Sequence, residues 1–111
     1  MEKVLVINSE KMGQGGAQLG ARLMKNFLNR LIETELKPKT VVLYNSGVRL
    51  ASKGSPVLES LHSLENLGVE IICCGTCVNY YGLADRMEAG RVTSMPEIVK
   101  VLTQARETVT I

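Results

Sequence analysis

The residues with the clearest chemical potential are Cys74-Gly75-Thr76-Cys77. Two thiols separated by two residues are near enough to pair as a disulfide or to pass a sulfur atom between them. The β-branched run before Cys74 predicts a strand, and residues 78–83 predict a short helix. Cys74 then closes the strand and Cys77 falls near the helix start. A helix N-terminus carries partial positive charge and unpaired N–H groups, which favour the reactive thiolate. Gly75 keeps the turn open to a substrate. The bland alternative is that the cysteines are small buried hydrophobes.

The third cysteine, Cys73, belongs elsewhere. Successive strand residues point to opposite faces, so Cys73 and Cys74 do not share a site and Cys73 is assigned to the core. That also argues against zinc. Three cysteines and His62 make four ligands on paper, but there is no second C-x-x-C and no histidine pair. No metal or cofactor is expected. A glycine-bearing loop, residues 8–16, fails both nucleotide motifs. Gly13-x-Gly15 needs a glycine where Gln18 stands, and Gly15 to Gly20 is followed by Ala21-Arg22 in place of Lys-Ser/Thr. Its N–H groups remain able to hold a small anion, although turn geometry explains the glycines equally well. With one histidine on a separate helix, no Ser/His/Asp set is readable.

These residues need a frame. Val4-Leu5-Val6-Ile7, Val41-Val42-Leu43-Tyr44 and Val69-Glu70-Ile71-Ile72-Cys73 are apolar runs suited to strands buried on both faces. Leu19, Leu23, Phe27 and Leu31, flanked by Met24, Leu28 and Ile32, predict a helix over 16–33. Ser55 and Pro56 serve as N-cap and first residue of a second helix ended by Gly68. Arg91-Val92 predicts a brief strand, Met95-Pro96-Glu97 starts a last helix, and residues 108–111 form a terminal strand. Strand and helix alternate throughout. The expected fold is α/β, a three-layer α/β/α sandwich with a mostly parallel sheet. In such sheets ligands bind beyond the carboxyl ends of the strands, where residues 8–16, Asn45-Ser46-Gly47 and the cysteine turn should gather.

Bulk properties narrow the classes. A chain of 111 residues predicts one domain, 1–111, able to bury a core without staples. Net charge is +2 and the basic residues are scattered, so nucleic acid is excluded as an expected partner. No apolar run reaches the roughly 20 residues of a membrane span. No export signal is visible at the start, and three cysteines cannot all pair within one chain. A cytoplasmic, reducing setting is therefore expected.

The stretch Cys74-Gly75-Thr76-Cys77-Val78-Asn79-Tyr80-Tyr81-Gly82-Leu83 resembles the signature of YedF-type proteins, a branch of the DsrE/DsrF-like superfamily. Met12-Gly13-x-Gly15, Leu19-Gly20, Gly47-Val48-x-Leu50, Gly54-Ser55-Pro56-Val57-Leu58 and Leu64-Glu65-x-Leu67-Gly68-Val69-Glu70-Ile71 extend the resemblance over nearly the whole chain. It implies a DsrE/F-like fold and a sulfurtransferase-like role in sulfur relay or selenium metabolism, with a persulfide carried on one cysteine. Spacing back from Gly82, that cysteine corresponds to Cys74, with Cys77 assisting. Asn79, Tyr80 and Tyr81 would wall the site with Gly75 and Thr76. The loop at Met12, Gly13 and Gly15 would steady the anionic sulfur. The resemblance further implies a trimer or hexamer, and a TusA/SirA-like carrier or another thiol protein as donor or acceptor. Members of the branch carry a preceding SirA/TusA-like domain, so the chain is expected to be a stand-alone version or an excised domain. Dithiol–disulfide redox cycling and a non-catalytic binding or assembly module are the alternatives.

Overall fold

The computed structural model describes residues 3–111. The three apolar runs form parallel strands: β1 (Lys3–Ile7), β2 (Thr40–Leu43) and β3 (Glu70–Cys74). Two short strands, β4 (Arg91–Thr93) and β5 (Glu107–Thr110), complete a sheet of order β4-β3-β2-β1-β5, parallel at every pairing. Because β1, β2 and β3 are central, both of their faces must be apolar, and β-branched residues supply that on each side. Ile7 pairs with Leu43 and Leu43 with Cys73, so the three strands end level. That common edge is where the site forms.

Helix placement follows from strand order. The steps from β1 to β2, β3 and β4 run in one direction, so right-handed crossovers put their helices on one face. Helices α1 (Ala17–Glu33) and α2 (Leu58–Asn66) lie there over Leu5, Ile7, Val41, Leu43, Ile71 and Cys73. The return from β4 to β5 crosses the other face through α4 (Met95–Gln104), where Ile98 packs on Val4, Val6, Val42, Ile72 and Cys74. The expected three-layer fold is what forms.

Local boundaries differ in instructive ways. The buried stripe of α1 is Gly20, Met24 and Leu28, whereas Leu19 and Leu23 are exposed. Gly20 accounts for the rotation. A Cβ there would meet Lys11 Cβ at 2.8 Å, and its carbonyl accepts the Met12 N–H at 3.0 Å. The glycine loop therefore rests on the helix at that point, and the helix turns its smallest residue inward. Ser55 is not the N-cap of α2, which begins at Leu58. Its hydroxyl accepts the Val57 N–H at 3.2 Å, a local turn that competes with earlier helix. Gly68, at φ +95, ends α2 as expected. Residues 45–47, expected as a turn, and the following residues, expected as a loop or a short helical turn, form one 3-10 helix (Asn45–Ala51).

Candidate functional site

Helix α3 (Gly75–Tyr80) begins directly after β3, three residues earlier than its sequence pattern implied. Cys74 is thus both the last strand residue and the helix N-cap, and Cys77 sits in the first turn. Gly75 permits this abrupt change. A Cβ there would stand 3.0 Å from the Thr93 carbonyl, so the glycine lets α3 close against β4 rather than holding the turn open.

The three thiols occupy three environments. Cys73 faces the α1/α2 layer, is fully buried, and has its pKa pushed up to about 12, first by burial and then by the nearby Glu65 carboxylate. Cys74 faces the α4 layer and is 1% exposed. Cys77 is half-buried and opens onto a shallow pocket of about 340 Å³ lined by Asn45, Thr76, Tyr80 and Tyr81. All three are free thiols. Burial raises the Cys77 pKa, the neighbouring Cys74 thiol raises it further through their hydrogen bond, and the backbone N–H of Asn45 pulls the other way; the net direction is up.

Asn45, expected at this edge with Ser46 and Gly47, has a direct role at the thiol that the sequence did not assign. Its N–H donates to Cys77 Sγ at 3.0 Å. It holds φ +52, a left-handed conformation that asparagine tolerates better than most residues. Its side-chain Oδ1 accepts the Ser46 N–H at 2.9 Å and the Tyr81 hydroxyl at 3.0 Å. Tyr81 in turn meets Tyr80 edge-on at 5.1 Å and lies under the Arg49 guanidinium at 4.5 Å. The available signal was position: Asn45 follows β2, the neighbour of β3, at the level edge. The 3-10 helix carries it inward because Gly47 lies so close to β1 that a Cβ would be 2.3 Å from the Ile7 carbonyl.

Of the residues expected at the site, Cys77, Thr76, Tyr80 and Tyr81 converge on one pocket, with Cys74 beneath. Asn79 is exposed and does not line it. The glycine loop gathers against the Asn45–Gly47 segment, with the Glu10 N–H donating to Ser46 Oγ at 3.1 Å, but does not line the thiol pocket. Met12 packs against the core, and Gly15 is exposed. Gly13 lines a separate polar cavity of about 500 Å³ that shares only Asn45 with the thiol pocket. His62 sits on α2 with Nε2 2.7 Å from the Glu88 carbonyl, and Cys73 faces away from the other two thiols.

A family model described as DsrE/DsrF-like family matches residues 2–111. The chain belongs to the DsrE/DsrF-like family. Membership supports a role in sulfur metabolism in the broad sense. Among solved structures, this DsrE/DsrF-like chain is similar to the ychN protein from E. coli, with TM-score 0.74, 16% identity and full coverage of both chains. It is similar to MTH1491 of Methanobacterium thermoautotrophicum, a protein of unknown function, with TM-score 0.71 and 21% identity over 99% of this chain and 98% of that one. BT1422 of Bacteroides thetaiotaomicron, also of unknown function, gives 0.66 and 15% over 99% and 95%. At these identities the likeness establishes the fold. No curated protein matches the chain. Among the described residues, no helix is long and apolar enough to cross a membrane.

Proposed function

We propose that this DsrE/DsrF-like chain is a YedF-type carrier of sulfur, or of selenium, working through the Cys74–Cys77 pair. The observation that carries the reading is the setting of Cys77: an accessible sulfur, hydrogen-bonded by a fixed backbone N–H, with a second thiol against it. The sequence expectation placed the persulfide on Cys74. Burial of Cys74 favours the opposite order, with Cys77 meeting the donor first. The Cys77 thiolate attacks the outer sulfur of a donor persulfide, forming a new S–S bond as the donor's inner sulfur leaves as thiolate. An acceptor thiolate then takes the outer sulfur and releases the Cys77 thiolate. The Asn45 N–H steadies the negative sulfur in both steps. Donor and acceptor are thiol proteins of TusA/SirA-like type, the setting is the reducing cytosol, and the chain works as a trimer or hexamer.

Cys74 supports a second outcome. Its attack on the inner sulfur of a Cys77 persulfide would form a Cys74–Cys77 disulfide and expel hydrosulfide, after which a thiol reductant must reset the pair. Incubation with a sulfane donor followed by mass spectrometry separates the cases. Carriage predicts a gain of one sulfur atom that is abolished in Cys77→Ala and retained in Cys74→Ala. Hydrosulfide release with a mass loss of two hydrogens marks the disulfide route. Full loading of Cys77→Ala would refute the assignment to Cys77.

A further inference from the structure

A concave pocket of about 230 Å³ lies between the glycine loop and residues 49–57, apart from both reactive cysteines. Met24, Leu50 and Val57 close it from below, each at most 3% exposed, and Ala21 and Pro56 offer the exposed apolar surface. Its rim is charged: Lys11, Arg49 and Lys53 face a single carboxylate, Glu10. Glu10 is 3.9 Å from Arg49, a loose pair. Lys11 and Lys53 have no ion pair among the described residues. Elsewhere, basic residues such as Arg30 and Arg91 do meet carboxylates. Three cations around an apolar hollow, with one acid to offset them, concentrate positive potential where the walls limit solvent.

We infer that this pocket binds a small oxyanion carried on a short apolar stem, its head held by Lys11, Arg49 and Lys53 and its stem on Ala21 and Pro56. The volume suits a molecule smaller than a drug-sized ligand. Lysines act here as mobile point charges, so the site recognises charge and size more than planar geometry. Glu10 sets the limit on affinity, since it repels the same head. The inference does not depend on the sulfur-carrier reading, because neither Cys74 nor Cys77 lines the pocket.

The test titrates the full chain with 1-propanesulfonate and with inorganic sulfate at constant ionic strength, following backbone amide shifts. Saturating shifts at Ala21, Gly54 and Ser55 are expected, with propanesulfonate about tenfold tighter than sulfate because only it has a stem to lay on Ala21 and Pro56. Lys11→Gln/Lys53→Gln should weaken binding about tenfold, and Glu10→Gln should strengthen it several-fold. Shifts that never saturate, or that spread over surface lysines generally, overturn the site. Equal affinity for the two anions overturns the role of the apolar surface. Unchanged affinity in the double variant overturns the role of the lysines, and Glu10→Gln gives an independent reading if that variant folds poorly.

Discussion

At the scale of residues, one asparagine and one buried thiol carry sharp consequences. Asn45 combines a left-handed backbone, a hydrogen bond to the pocket thiol and an anchor to Tyr81. Replacing it with alanine should lower stability by about 1 kcal/mol, because a Cβ-bearing residue without a side-chain acceptor is strained there. Asn45→Gly should recover most of that in urea unfolding. Both variants free the loop from Tyr81, so the Cys77 pKa, followed by thiol labelling against pH, should rise further in each. An unmoved labelling curve would remove Asn45 from the thiol's environment. Cys73 reports through stability instead. Its pKa rises from 9.0 to about 12 on folding, so the folded state keeps a proton that the unfolded chain loses. Stability is complete below pH 9 and falls as pH rises toward 12, by about 1.4 kcal/mol per unit from this thiol. Relative to Cys73→Val, which has no thiol to titrate, the wild type should lose stability over the same window in alkaline urea titrations.

At the scale of elements, the site is made by two abrupt junctions. Strand β3 passes into α3 without a linker, and β2 passes through Tyr44 alone into the 3-10 helix that Asn45 begins. Each junction depends on a glycine that lets backbones approach, Gly75 against Thr93 and Gly47 against Ile7. Gly47 is the more confined, with a Cβ position only 2.3 Å from a carbonyl oxygen. Neither partner is a flexible side chain, so the loop or the strand end must move. Gly47→Ala should lower stability by about 2 kcal/mol or more and should withdraw the Asn45 N–H from Cys77. Chemical denaturation measures the first effect and the pH dependence of Cys77 labelling the second.

At the scale of the whole molecule, the two faces of the sheet are covered unequally. Helices α1 and α2 pack on one face and α4 alone crosses the other. Cys74 belongs to that second face, so its burial rests on a thin layer. Ile98, 2% exposed, is the buried residue of α4. Ile98→Ala should lower stability by about 2–4 kcal/mol. It should also raise the labelling rate of Cys74 more than that of Cys73, which lies on the opposite face. Equal acceleration of both thiols would mean that the two layers open together.

Much was legible in the chain because alternation and run length are local properties. Three apolar β-branched runs separated by helical stretches already imply a parallel sheet with helices on both sides, and strand alternation already sends Cys73 and Cys74 to opposite faces. The C-x-x-C motif, its strand-to-helix position and the flanking tyrosines were equally visible, as was the family they resemble. Tertiary structure decided which sulfur meets solvent. Cys74 is covered by α4, an element that begins at Met95, and Cys77 is met by Asn45, 32 residues back. It also decided that the glycine loop rests on Gly20 of α1 and lines a cavity beside the thiol pocket rather than the pocket itself. Such choices depend on which distant backbones can approach closely, and residue spacing within one segment carries no record of that.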